Sequence, residues 1–121
     1  MMIKSSNSEN LKKIEKPWGY EIWWAETEKY AAKFLYINKN SRMSLQYHDE
    51  KEETVYVMSG VLRVWETKDD NNFKDYPPGS IYHVLPKKVH RFGAGFTNVT
   101  LCEVSTPELS DVIRLADDYK R

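Results

Sequence analysis

A chain of 121 residues with 40% hydrophobic and 13% aromatic content suffices for one domain around one small core, and leaves no room for a second catalytic domain. Eighteen basic residues balance eighteen acidic ones, which removes the electrostatic case for nucleic acid or an anionic membrane as main partner and leaves a small ligand. The lone Cys102 excludes an internal disulfide framework, and no apolar run approaches the roughly 20 residues of a membrane span, so the expected location is the cytoplasm.

The opening residues 1–10 are polar and lack the hydrophobic centre of a signal peptide, so residues 1–14 are expected to form a flexible tail and residues 15–121 the folded domain. After Pro17-Trp18-Gly19-Tyr20 come short β-rich runs at 20–25, 31–38, 43–47, 54–58 and 61–67. Asn40-Ser41, Ser59-Gly60, the Asp69 to Asn72 cluster and Pro77-Pro78-Gly79 break the chain, and further strands are predicted at 80–85, 89–92 and 98–105. Short strands at this spacing predict an all-β, single-domain antiparallel barrel or sandwich with little helix. Only residues 110–119 read as a short helix, with Ser110 or Asp111 as N-cap, although Val112-Ile113 suits a strand equally. There is no Gly-rich phosphate loop, so nothing suggests nucleotide hydrolysis.

Chemistry concentrates in Gln46-x-His48-x4-Glu53-x6-Gly60, answered some forty residues later by His90. Strand alternation puts Gln46 and His48 on one face, and Glu53 opens the next extended run. An inward Glu53 is costly unless a cation or donors meet it, and the inward His and Gln side chains need partners too. One divalent metal ion answers all four, and the donor set of two imidazoles, a carboxylate and an amide oxygen suits Zn, Mn, Fe, Co or Ni rather than calcium. His83, grouped by alternation with Ile81 and Leu85, reads as a packed, hydrogen-bonded histidine; Cys102 reads as a small buried hydrophobe.

Lys33 and Glu103 are charged residues inside apolar strands. Burial would perturb their pKa values and make them acid/base candidates, and a salt bridge between them is the equally weighted alternative. Arg42, Lys87 and Arg91 are the candidate cations for a phosphate group, although a regular strand turns Arg91 away from His90, toward structural pairing outside the pocket.

The first motif resembles that of the cupin superfamily, G-x5-H-x-H-x4-E-x6-G, with Asn40 at the leading glycine and Gln46 at the first histidine. Asn tolerates the left-handed conformation that a glycine turn needs. The second cupin motif, G-x5-P-x-G-x2-H-x3-N, falls on Gly79, Leu85, Lys87, His90 and Ala94, so its spacing survives while its Pro, second Gly and Asn are lost. The resemblance implies a double-stranded β-helix, or jelly-roll, barrel.

A narrower resemblance, over residues 16–121, is to the cupin domain of type II mannose-6-phosphate isomerases and their small stand-alone relatives. It rests on Pro17-Trp18-Gly19-Tyr20, Lys33, Leu45-Gln46 with His48 and Glu53, His90-Arg91, Glu103-Val104, and Asp111-Val112-Ile113-Arg114 through Asp118-Tyr119-Lys120-Arg121. The resemblance implies metal-dependent interconversion of aldose and ketose phosphates, a sugar-phosphate or other polyol ligand, and a base, Glu103 or Lys33, that moves a proton between adjacent carbons. Two rivals stand beside it. His48, Glu53 and His90 alone make the two-histidine, one-carboxylate set of Fe(II) dioxygenases, and small size with an altered second motif suits a non-catalytic, metal-bearing sugar-binding module. Exposed strand edges and the aromatic run from Trp18 to Trp24 predict a homodimer with part of that run in the interface.

Overall fold

The structure, a computed structural model, describes residues 11–119 and contains eleven strands and no helix among them. In chain order these are β1 (Lys12–Lys16), β2 (Gly19–Glu26), β3 (Ala31–Ile37), β4 (Leu45–Tyr47), β5 (Glu53–Ser59), β6 (Leu62–Trp65), β7 (Phe73–Tyr76), β8 (Ile81–Val84), β9 (Arg91–Ala94), β10 (Val99–Ser105) and β11 (Ile113–Ala116). Residues 1–10 of the expected tail lie outside the described residues, and its last part belongs to β1, so the ordered chain begins before residue 15.

All pairings are antiparallel. One sheet runs β1-β2-β3-β10-β5-β8. Opposite it stand β7-β6-β9 and β11-β4, linked by bridges between Arg42 and Gly93 and between Gln46 and His90. Inward positions follow the expected alternation: Leu35 and Ile37 of β3, Val55 and Val57 of β5, and Val99 and Leu101 of β10 are all within 1% of complete burial. With Trp18, Leu62, Val64, Val84 and Phe92 they form one core between the sheets. That core fills one end of the barrel, and the charged residues gather at the other.

Two strands escape the sequence reading, and a third is one that it leaves open between helix and strand. β1 is charged, exposed and held by its ladder to β2. β7 is a polar edge strand whose pattern is masked by flanking turn residues. The ambiguous C-terminal segment is a strand because Ile113 and Arg114 pair with Tyr47 and Gln46. Asp111 does cap backbone amides as expected of an N-cap, but those of Asp49, Glu50 and Lys51 across the fold, at 3.1, 2.7 and 3.0 Å.

Two turn positions bear directly on the site. Asn40, at the first motif's leading glycine position, adopts φ 59°, and Lys87, at the second motif's lost glycine, adopts φ 70°. Lys87 also donates its amide to the carbonyl of His48 at 2.6 Å, which ties the turn before His90 to the end of β4. Gly60 has φ 73°, and a Cβ there would stand 2.1 Å from the carbonyl oxygen of Asn98. Gly60→Ala is therefore expected to destabilise the fold by about 2–4 kcal/mol, combining left-handed strain with backbone displacement, as read by denaturant midpoint.

Candidate metal centre and its buried charge network

Backbone pairing places the candidate metal donors. Gln46 and His90 exchange amide-to-carbonyl hydrogen bonds of 3.0 and 2.9 Å, so their side chains emerge side by side into the cleft between the sheets. His48 follows at the end of β4, and Glu53 begins β5 with its side chain inward. One ligand atom each from His48, Glu53 and His90 fits within a mutual spacing of 4.8 Å, and all three residues are buried. Glu53 Oε1 lies 3.3 Å from His48 Nε2 and 3.2 Å from His90 Nε2.

The tautomers are set from behind. His48 Nδ1 donates to the carbonyl of Asp111 at 2.5 Å, and His90 Nδ1 to the carbonyl of Lys88 at 3.0 Å. In the neutral ring a donating Nδ1 leaves the lone pair on Nε2, the form a metal needs. His90 Nε2 is buried and makes no hydrogen bond. Two imidazole nitrogens, one of them an orphaned buried atom, and a carboxylate fit a divalent ion. Gln46 stands in the same cleft, its Oε1 already accepting from Ser44 Oγ at 2.6 Å.

Behind the triad runs a chain of buried charges. Glu53 Oε2 meets Lys51 Nζ at 3.4 Å, Lys51 meets Glu103 Oε2 at 3.3 Å, Glu103 meets Lys33 Nζ at 3.8 Å, and Lys33 meets Glu21 Oε1 at 3.2 Å. Trp23 Nε1 closes the chain on Glu21 Oε1 at 2.8 Å. The ladder explains the order, since Trp23, Lys33, Glu103 and Val55 are register partners across β2, β3, β10 and β5. The pairing expected between Lys33 and Glu103 is present. It does not isolate Glu103, which also reaches Lys51 and, through a shared hydrogen bond, Glu53.

The two inner carboxylates are driven apart. Burial, then the charge of Glu53, pushes Glu103 up to about 8 against the pull of Lys51 and Lys33. Burial also opposes ionisation of Glu53, but the hydrogen bond from Glu103, the adjoining imidazoles of His48 and His90 and the charge of Lys51 outweigh it and hold Glu53 well below the ordinary carboxylate value. Lys51 pays a desolvation penalty, yet Glu103 and Glu53 raise its pKa and keep it an ammonium. One carboxylate is thereby favoured as the anion and its neighbour as the protonated acid, a separation typical of acid/base sites.

Other expected site residues are placed elsewhere. Arg42 is clamped by Asp118 at 2.6 and 2.9 Å and by Asp70 at 2.9 Å, lying over Trp65 on the outside of the β6 sheet. Arg91 points the same way and donates to the carbonyl of Ala116 at 3.0 Å, the structural pairing anticipated for it. Lys87 is an exposed turn residue. None of these three lines the cleft, because each lies on a turn or on the outward face of its strand. The cations that line it are Lys16, Lys33, Lys51 and Arg114. Lys51 was legible: it shares the parity of Glu53 and so the inward face. Arg114 was not, since its direction follows only from its register with Gln46.

His83 is hydrogen-bonded, as expected, to Thr54 Oγ1 at 2.8 Å and Glu52 Oε2 at 2.9 Å, but it is exposed on the outer face rather than packed. Cys102 is half-buried on that same outer face instead of in the core, because inward parity in β10 belongs to Leu101 and Glu103. No helix of the described residues is long and apolar enough to cross a membrane.

Residues 4–117 match the family described as mannose-6-phosphate isomerase C-terminal. No curated protein matches the sequence. Among solved structures, KdgF from Halomonas sp. superposes with a TM-score of 0.72 at 13% identity, over 86% of this chain and 94% of its own. An RmlC-like cupin from Shewanella frigidimarina gives 0.72 at 18% identity, over 86% and 90%. The oxalate decarboxylase of Bacillus subtilis, a protein with Mn(II) centres, gives 0.69 at 18% identity, over 86% of this chain and 30% of its own. At these identities the likeness establishes the double-stranded β-helix fold of cupins.

Proposed function

The chain belongs to the mannose-6-phosphate isomerase C-terminal family, and from that premise we propose that it is a metal-dependent aldose–ketose isomerase acting on a sugar phosphate of the mannose 6-phosphate and fructose 6-phosphate type. The observation that carries this reading is that His48 and Glu53 of the candidate metal triad and a second buried carboxylate, Glu103, line one cleft. His48, Glu53 and His90 would hold the ion, with Gln46 beside them. When bound, it supplies Lewis-acid polarisation of the substrate's carbonyl and hydroxyl oxygens.

Glu103, in its ionised form, takes the proton from C2 of the open-chain aldose, leaving an enediolate, and returns it to C1, while a hydroxyl proton passes from O2 to O1. Lys51 and Lys33 on either side hold the carboxylate in position. Of the two candidate bases, Lys33 is the farther from the triad and is the positioning partner. The enclosed part of the cleft is about 90 Å³, well below the roughly 300 Å³ at which small-molecule pockets begin. Only the reacting carbons fit inside, so the phosphate lies at the mouth. There Lys16 and Arg114, which form no ion pair among the described residues, are its donors.

A panel of aldose and ketose phosphates, assayed on protein stripped of metal and then reloaded with Zn, Mn, Co, Ni or Fe, tests the proposal. Turnover of at least one pair should vanish on stripping and return on reloading. If none is isomerised with any metal, the activity is wrong; saturable binding without turnover would then favour a sugar-binding module. One observation favours a second enzymatic reading. The amide oxygen of Gln46 is already engaged by Ser44, which leaves the two-histidine, one-carboxylate set of Fe(II) dioxygenases. Oxygen uptake by the Fe(II) form separates the two.

A further inference from the structure

The four backbone amides between the candidate ligands His48 and Glu53 all donate to one distant segment, residues 106–111. Asp111 Oδ1 accepts from Asp49 at 3.1 Å, Asp111 Oδ2 accepts from Glu50 and Lys51 at 2.7 and 3.0 Å, and Thr106 Oγ1 accepts from Glu52 at 3.0 Å. Successive amides turned toward one carboxylate form an anion-binding concavity of backbone, here filled by the chain's own side chain. The carbonyl of Glu52 accepts from the amide of Thr106 at 3.0 Å and closes the other end. The main-chain carbonyl of Asp111 meanwhile takes the Nδ1 proton of His48. One residue therefore grips a ligand by its carbonyl and, by its carboxylate, the loop that leads to the next ligand. The segment is itself folded into tight turns, the amides of Leu109, Asp111 and Val112 donating to the carbonyls of Pro107, Glu108 and Ser110 at 2.8, 3.2 and 3.0 Å. It then runs into β11, where Ile113 and Arg114 pair with Tyr47 and Gln46.

We propose that Asp111 is a positioning residue of the metal centre, which fixes the loop between His48 and Glu53 before an ion arrives and joins that loop to the wall of the cleft. The proposal rests on the ligand set His48, Glu53 and His90, and not on the isomerase reaction. Ordering the backbone of residues 49–52 is an entropic cost that would otherwise be set against metal affinity. A carboxylate suits the task because its two oxygens accept all three amides at once, which no neutral side chain of that length can do. The coupling runs both ways. An ion that favours the docked loop also favours the docked segment, so Leu109, Val112 and Arg114, which line the cleft, are ordered by metal although none belongs to the triad.

Competition with a chromogenic chelator should show Asp111→Ala binding Zn(II) about 10-fold or more weakly than wild type, the usual scale for losing an outer partner of a ligand. Gly60→Ala is the control for general loss of stability: its turn lies outside the cleft, and its Zn(II) affinity should stay within about 2-fold of wild type. In metal-free protein with neutral rings, nitrogen NMR should find His48 in its Nδ1–H form in the wild type and as a mixture of tautomers in Asp111→Ala. Zn(II) should slow amide exchange at Val112, Ile113 and Arg114 in the wild type and leave it unmoved in the variant. If Asp111→Ala fails to fold, Asp111→Asn, which keeps the volume and one acceptor oxygen, replaces it with the same expected direction. Wild-type Zn(II) affinity in a folded Asp111 variant overturns the proposal. So does an equal loss of affinity in Gly60→Ala, which would make the effect one of general stability. Wild-type protein that takes up no Zn(II) overturns the ligand set and the proposal with it, a failure told apart because it appears without any substitution.

Discussion

Purified gently, the protein should carry about one divalent ion per chain, and the His48→Ala, Glu53→Ala double variant none. The expectation follows from the burial of three donors within 4.8 Å of one another and from the carbonyls of Asp111 and Lys88, which take the Nδ1 protons and so favour the tautomer with its lone pair on Nε2. Without an ion, Glu53 is a buried anion whose second oxygen leans on Lys51. Metal binding is thus coupled to folding. An ion at 100 times its dissociation constant adds about 2.7 kcal/mol, which for a domain of this size raises Tm by about 10 °C or more. Metal analysis and thermal melts with and without chelator provide the readouts. Chelator should lower the wild-type Tm by that amount and leave the double variant unmoved. An unchanged stoichiometry in a folded double variant would overturn the ligand set.

Most of the strands and the convergence of His48, Glu53 and His90 were legible in the sequence because both depend largely on short-range parity. A period of two fixes which of Val55, Val57, Leu101 and Glu103 turn inward, and the spacing from Gln46 to Gly60 is a property of two adjoining segments. Even the lost glycines could be followed: Asn40 adopts the left-handed turn its motif position demands, and so does Lys87, a residue with less tolerance for it. What stayed hidden depends on pairing between distant segments. β1 and β11 are strands because of their ladders to β2 and β4, and Arg114 enters the cleft only through its register with Gln46. Arg42, Lys87 and Arg91 were chosen as phosphate donors for their charge and nearness in sequence to His90 or the motif. Sequence nearness says nothing about the face of the barrel on which a side chain emerges, and two of the three are committed to structural contacts on the outside.

Glu103→Gln should lower kcat for sugar-phosphate isomerisation by about 10²- to 10⁴-fold, the usual worth of a positioned base, with metal content unchanged. The substitution keeps the volume and an acceptor oxygen but removes the proton carrier. Loss of one member of a buried charge set is ordinarily severe. Here both affected lysines retain a second carboxylate, Lys51 on Glu53 at 3.4 Å and Lys33 on Glu21 at 3.2 Å, so the barrel should survive. The split between KM and kcat is informative. Phosphate affinity is assigned to Lys16 and Arg114 at the mouth, so KM should move little in Glu103→Gln, whereas Arg114→Ala should raise KM while largely sparing kcat. Unchanged turnover in a folded, metal-loaded Glu103→Gln protein would remove Glu103 as the base. Loss of the metal instead would recast Glu103 as a residue that secures Glu53, since the shared hydrogen bond between the two carboxyl groups is the one link through which Glu103 touches the triad directly.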